Sequence, residues 1–244
     1  MGFLEIAAAL KFLSNVDLVW QLGILNREVF LSIWIALAVV TALYLLGRIT
    51  LSHDTPVERL GVVRMLWAVF FIAGAFFLFT GLIGAPLGEL DAFLPPRSYS
   101  NVVKWLGELG GGGKPMEKEA WIPNLEEGLR KAKEENKNVF IDFTGYACTN
   151  CRWMEANIFT REDVQKEFGK FVLVRLYTDG DGPQYDRNRL LEQNRFGTIA
   201  LPFYAILSPN DEEIARFPGL TRNASEFVKF LSQGAVVRKT TAGF

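Results

Sequence analysis

Cys148 and Cys151 are the only thiols in 244 residues, and they stand as Cys-x-x-Cys within VFIDFTGYACTNCRWME. The run VFIDFT reads as a buried strand that enters Gly145, and a helix is predicted to begin at about Cys148. The first thiol then sits at a helix N-terminus, where unpaired N–H groups and the helix dipole stabilise a thiolate. Its pKa falls from about 8.5 toward roughly 3.5–7.5. Cys148 is therefore the predicted nucleophile. Cys151, one turn further on, is near enough to form the disulfide and lies deeper, which suits the resolving role. A bridge between near neighbours closes almost no loop and adds little stability, so a framework role is excluded. Zinc needs four ligands, and the chain offers no other cysteine and one histidine, His53. No metal or bound cofactor is expected; the redox group is the Cys148–Cys151 pair.

Two acids and a proline extend this constellation. Asp142 interrupts the apolar run Val139, Phe140, Ile141 and Phe143, where a carboxylate is costly unless it has a task. Glu155 follows Cys151 by one helical turn on the same face. Either acid could take the proton from Cys151 as it attacks a mixed disulfide. Glu155 reads equally well as a solvated helix acid, and Asp142 as a satisfied structural carboxylate. Pro202 opens a strand after Thr198-Ile199-Ala200-Leu201. A cis Leu201–Pro202 bond would leave the Leu201 backbone free to pair with a substrate segment beside the thiols; a plain trans proline is the alternative.

The elements that must hold these residues follow from pattern. Asn124 precedes a helical run, LEEGLRKAKEEN, with acids early and bases late. Strands are predicted over 138–144, 171–177, 203–207 and 213–217, and helices over 149–157, 161–168, 186–196 and 225–233. This alternation describes an α/β domain over 119–237. Asp179-Gly180-Asp181-Gly182 hints at a calcium loop, but Leu190 occupies the position of its bidentate acid, so it reads as a turn. Asn223-Ala224-Ser225 is a glycosylation pattern that reads as the cap of the last helix.

The chain before this domain has another character. Only 15 charged residues fall in the first 110 positions, against 38 in the remaining 134. Val29 to Gly47 carries no charge, nor does Met65 to Gly88, and each approaches the roughly 20 residues needed to cross hydrocarbon. Residues 1–94 are therefore expected to hold two transmembrane helices, about 29–47 and 65–86, in contact with a lipid bilayer. Gly2 to Leu13 reads as the tail of an earlier membrane helix, with an interfacial stretch from Ser14 to Glu28, and not as a signal peptide. Lysines and arginines flank the spans almost evenly, so charge does not set orientation. The tract 95–118, with Gly110 to Gly113, reads as a flexible linker. A phosphate loop fails there because Pro115 follows Lys114 and Glu108 stands where the first glycine belongs. With a net charge of −1, nucleic acid is excluded as a partner.

The domain resembles the thioredoxin-like fold, with Asp142, Cys148, Cys151 and Pro202 where thioredoxins carry their buried acid, redox pair and cis-proline. More closely, IDFTGYACTNCRWME, including Glu155, is similar to the motif of the C-terminal periplasmic domain of the bacterial thiol:disulfide interchange protein DsbD family. GFLEIAAALKFLSN, the two apolar runs and GLIGAPLGELDAFLPP are similar to the end of that family's membrane electron-transfer domain. The resemblance implies an α-helical transmembrane segment followed by an α/β thioredoxin-like domain, placed in the bacterial inner membrane with that domain in the periplasm. It implies a protein-disulfide reductase that passes electrons from a membrane dithiol to periplasmic disulfide partners. Those partners could be another thioredoxin-like protein, a cytochrome c maturation factor or a disulfide isomerase. The family's membrane domain carries its own redox cysteines, and here none precedes Cys148. The chain is thus expected to be the C-terminal part of a longer protein, or to rely on a membrane partner that supplies the missing thiols. A disulfide-introducing oxidant and a non-catalytic membrane adaptor are the rival readings.

Overall fold

The computed structural model of the protein describes residues 2–51, 60–96 and 121–235. It divides into two compact units, Met1–Gly113 and Lys114–Phe244. His53, most of the 95–118 linker and the rejected phosphate-loop tract lie outside the described residues.

In the first unit, helices α1 (Gly2–Trp20), α2 (Arg27–Leu45) and α3 (Val62–Leu82) precede a short 3-10 turn at Gly88–Ala92. Helices α2 and α3 are long and apolar enough to cross a membrane. Helix α1 runs unbroken through Ser14, which corrects the expected change to an interfacial stretch at that residue. Its end is closed by Asp17, whose carboxylate accepts from the Ile24 and Leu25 amides at 2.9 and 3.2 Å. Helix α2 starts two residues earlier than the uncharged run, because the Asn26 side chain caps it by accepting from the Val29 amide. Helix α3 stops at Leu82, short of residue 86, with Gly84 beyond it at φ 95° and Pro86 close behind. Phe30, Leu31, Leu78, Leu87 and Leu94 form this unit's buried apolar cluster. Beside it the buried Arg27 pairs with Asp91 and donates to the Pro95 carbonyl at 3.0 Å. Asp91 in turn accepts from the Leu87 amide at 2.9 Å, which ties the 3-10 turn to the residue before it.

The second unit is a four-stranded mixed sheet between helices. Its elements are α4 (Leu125–Glu135), β1 (Asn138–Thr144), α5 (Thr149–Asn157), α6 (Glu162–Phe168) and β2 (Phe171–Tyr177). Then come α7 (Pro183–Phe196), β3 (Phe203–Leu207), β4 (Glu213–Pro218) and α8 (Ala224–Gly234). The order across the sheet is β2-β1-β3-β4, with β1 parallel to β2 and β3 antiparallel to both β1 and β4. Central β1 is buried along its whole length, which explains why it reads as a continuous apolar run. Helix α7 begins at Pro183, not Asp186, because proline's fixed φ and missing N–H suit the first helical position. Asn223 caps α8 by accepting from the Ser225 amide, as its pattern suggested. One pairing carried no readable signal: Ile122 makes an isolated parallel bridge to Val174 at the sheet edge.

Side-chain alternation on β1 divides the core. Val139, Ile141 and Phe143 pack with Ala132, Val174, Phe196 and Phe203 on the side of α4 and α7. Phe140 faces the other side, where its ring lies 5.1 Å from Phe168, 5.8 Å from Tyr204 and 6.2 Å from Phe227. By the same period-two rule Asp142 shares that aromatic face, and Tyr204 stands directly across from it on β3.

Candidate redox site

Cys148 and Cys151 form a disulfide, with Cα atoms 5.3 Å apart. Cys148 is the N-cap of α5, and its sulfur accepts from the Cys151 amide at 3.1 Å. Helix α5 thus directs its first free N–H groups at this sulfur, the electrostatic setting in which a thiolate is favoured. Cys148 is half-buried whereas Cys151 is 1% exposed. Cys148 is thus the more exposed of the two.

The approach to the motif is held from below by a residue that sequence reasoning treated only as part of a turn. Asp179 accepts from the Tyr146 amide at 2.7 Å and from the Ala147 amide at 2.9 Å, so one carboxylate fixes the two residues before Cys148. Tyr146 stacks on Tyr177 with ring centroids 3.9 Å apart, clamping the same loop from its flank. Gly145 is required here: a Cβ would fall 2.6 Å from an Asp179 carboxylate oxygen and 3.1 Å from Leu201. That near contact also places the Leu201–Pro202 segment against the motif. The Leu201–Pro202 bond is cis, and the Pro202 carbonyl accepts from the Gly219 amide at 2.9 Å.

Behind the disulfide lies a network of four charged side chains. Asp142, 1% exposed, accepts from Arg175 Nε at 2.8 Å. Glu155 pairs with Arg152 at 2.8 Å and lies 3.8 Å from Arg175, so it is an ion-paired acid and not a solvated one. Arg152 also donates to Thr144 Oγ1 at 3.1 Å and to the Gly145 carbonyl at 3.3 Å. Arg175 lies 4.0 Å over the Trp121 ring. The structure thus links Asp142 on β1 to Glu155 on α5 through Arg175, and Glu155 in turn pairs with Arg152, the neighbour of Cys151. The sequence reading named both acids and missed both arginines; an arginine beside Cys151 and another inside the apolar run FVLVRLY were the available signals. Burial pushes the Asp142 carboxyl up to about 6, a rise that the Arg175 charge opposes and the Glu155 charge reinforces. At neutral pH such a group is ionised but close to its titration point, so it can both accept and return a proton. Among the described residues, no group of three His, Cys, Asp or Glu side chains is placed to hold a metal ion.

Comparison with known proteins fits this geometry. Residues 120–209 match the thioredoxin-like family model. Over 172 residues the chain is 26% identical to the thiol:disulfide interchange protein DsbD of Ralstonia nicotianae, a match covering 70% of this chain. The chain spans 27% of the length of that curated relative. Among solved structures, a thioredoxin from Thermus thermophilus is similar at 23% identity and TM-score 0.40, covering 48% of this chain and 86% of that one. The oxidised C-terminal domain of Neisseria meningitidis DsbD is similar at 16% identity and TM-score 0.40, covering 47% and 98% respectively. The chain combines two long apolar helices with a thioredoxin-like domain, the fold class expected from its motifs.

Proposed function

We propose that this chain is a membrane-anchored protein-disulfide reductase that receives electrons from a membrane dithiol and passes them to periplasmic disulfide partners. The observation that carries the proposal is the Cys148–Cys151 disulfide at the start of α5, with Cys148 half-buried and Cys151 buried one helical turn before the ion-paired Glu155. In the reduced state Cys148 attacks a partner disulfide and forms a mixed disulfide. Cys151 then loses its proton to the Asp142–Glu155 pair and attacks the Cys148 sulfur, and the partner leaves as a thiol. Asp142, Glu155 and Pro202 are supporting residues, the last presenting the Leu201 backbone to the partner's chain. The Cys148–Cys151 pair is itself the redox group. Likeness to DsbD supports the inner-membrane setting, and the missing upstream thiols are assigned to a membrane domain or protein beyond this sequence.

The reaction's direction is tested by the redox equilibrium of the full chain in detergent against glutathione. A reductase poises near thioredoxin's value of about −270 mV; a disulfide-introducing oxidant would sit near about −120 mV. A value at the oxidising end would replace the proposed direction with its reverse.

Orientation is tested separately, with single cysteines at Thr50 or Ser232 in a chain lacking Cys148 and Cys151. In intact cells an impermeant maleimide should label Ser232→Cys and not Thr50→Cys. Labelling confined to Thr50→Cys would place the thioredoxin-like domain in the cytoplasm.

A further inference from the structure

The hydroxyl of Tyr204 is a buried, chemically capable group beside the charged network that the proposed reaction leaves unused. Tyr204 is 0% exposed, and its oxygen has no hydrogen-bond partner among the described residues. Phenylalanine would fill the same space without that cost, and the surrounding rings are phenylalanines: Phe140, Phe159, Phe217 and Phe227 have centroids 5.2–6.3 Å from the tyrosine ring. A buried hydroxyl kept among them calls for a use in some other state of the site.

Register shows what that use can be. Tyr204 is the cross-strand partner of Asp142, so both side chains leave the sheet on the same face. The charged groups that act on it most strongly belong to the network: Asp142 from β1, Arg175 from β2, and Arg152 and Glu155 from α5. The other elements packed on the ring, β4 and α8, contribute Phe217 and Phe227. In the disulfide form Asp142 is engaged by Arg175, and Glu155 by Arg152, so neither acid needs the hydroxyl.

We propose that Tyr204 is a positioning residue for proton transfer: its hydroxyl donates to the Asp142–Glu155 pair when that pair exchanges a proton with Cys151. The inference rests on the reductase reading. In the resolving step the Cys151 thiol gives its proton to a carboxylate, and the resulting thiolate attacks the Cys148 sulfur. The bond from Cys148 to the partner breaks, and the partner thiolate takes a proton from solvent. A donor aimed at the carboxylate favours its ionised form before the transfer, and so lowers the pH at which Cys151 can be deprotonated. Burial first, and then the charges of Asp142 and Glu155, push the Tyr204 hydroxyl well above the ordinary tyrosine range, so it stays protonated throughout.

The test follows the full chain in detergent, reacting the reduced pair with a small mixed-disulfide-forming probe, dithionitrobenzoate, from pH 5 to 9. Release of the second thionitrobenzoate reports resolution by Cys151. Tyr204→Phe should move the acid limb of resolution up by about one pH unit, a roughly tenfold slowing near pH 6, while attack by Cys148 is unchanged. If the variant folds poorly, 3-fluorotyrosine at position 204 keeps the shape and is a stronger donor; the limb should then move down. An unmoved profile in both, with Tyr204→Phe more stable at every pH, makes the hydroxyl a mere packing defect and overturns the assignment. If the wild-type pair does not exchange with the probe at all, the reductase reading itself falls and the role of Tyr204 falls with it. That outcome is distinct from exchange whose pH profile ignores position 204.

Discussion

Cys151→Ser should accumulate a mixed disulfide between Cys148 and the partner that survives non-reducing electrophoresis and vanishes with dithiothreitol. Cys148→Ser should accumulate at least about tenfold less. The difference follows from placement. Cys148 caps α5, where the helix stabilises a thiolate, and it is half-buried; Cys151 is 1% exposed and reaches only its neighbour sulfur. With Cys151 gone, attack proceeds but nothing displaces the partner. With Cys148 gone, no partner sulfur can reach the buried thiol. Trapping by Cys148→Ser alone would reverse the two roles, and trapping by neither variant under periplasmic redox conditions would favour a binding adaptor. The trapped species also identifies the downstream partner by mass.

Asp142→Asn should make the thioredoxin-like domain less sensitive to pH and slow its chemistry. The Asp142 carboxyl is pushed from 3.8 up to about 6, chiefly by burial. A carboxyl raised in the folded state binds its proton more tightly there than in the unfolded chain. Its contribution is therefore fully present below pH 4 and is lost as pH rises through about 6. At about 1.4 kcal/mol per pH unit this amounts to about 3 kcal/mol. Asparagine cannot ionise, so most of that loss should disappear. The check is hydrogen-exchange protection of the β1 amides in the full chain at pH 4 and pH 8. Wild type should lose protection between the two values and the variant should lose far less; an equal loss in both would mean that the burial cost lies elsewhere. The same substitution removes a proton acceptor, so release of a trapped partner should slow by about a hundredfold while initial attack is little changed. Glu155→Gln should act in the same direction. Stability gained at pH 8 together with resolution lost is the signature of a group retained for chemistry at the expense of the fold.

Much of this architecture was legible because it rests on local pattern. An uninterrupted apolar run marks a strand buried on both faces, as β1 is, and uncharged runs of helix length mark α2 and α3. Boundaries were less legible where a cap or a proline decides them. Asn26 draws Arg27 and Glu28 into α2, and Pro183 starts α7 three residues before the amphipathic pattern does. Polar residues within apolar surroundings signalled a task at Asp142, but not which partners would satisfy it.

The sequence by itself determined the place of the cysteine pair at a helix start, and it singled out the two acids and the proline, because each is a matter of residue type at short spacing. Only the tertiary structure decided what surrounds them. Asp179 reaches the amides of Tyr146 and Ala147 from 33 and 32 residues away, and Arg175 reaches Asp142 across 33. Tyr204 meets Asp142 through an antiparallel pairing of β3 with β1. Such contacts depend on strand order and register, which no spacing along the chain encodes, and it is they that set the electrostatic surroundings of Asp142.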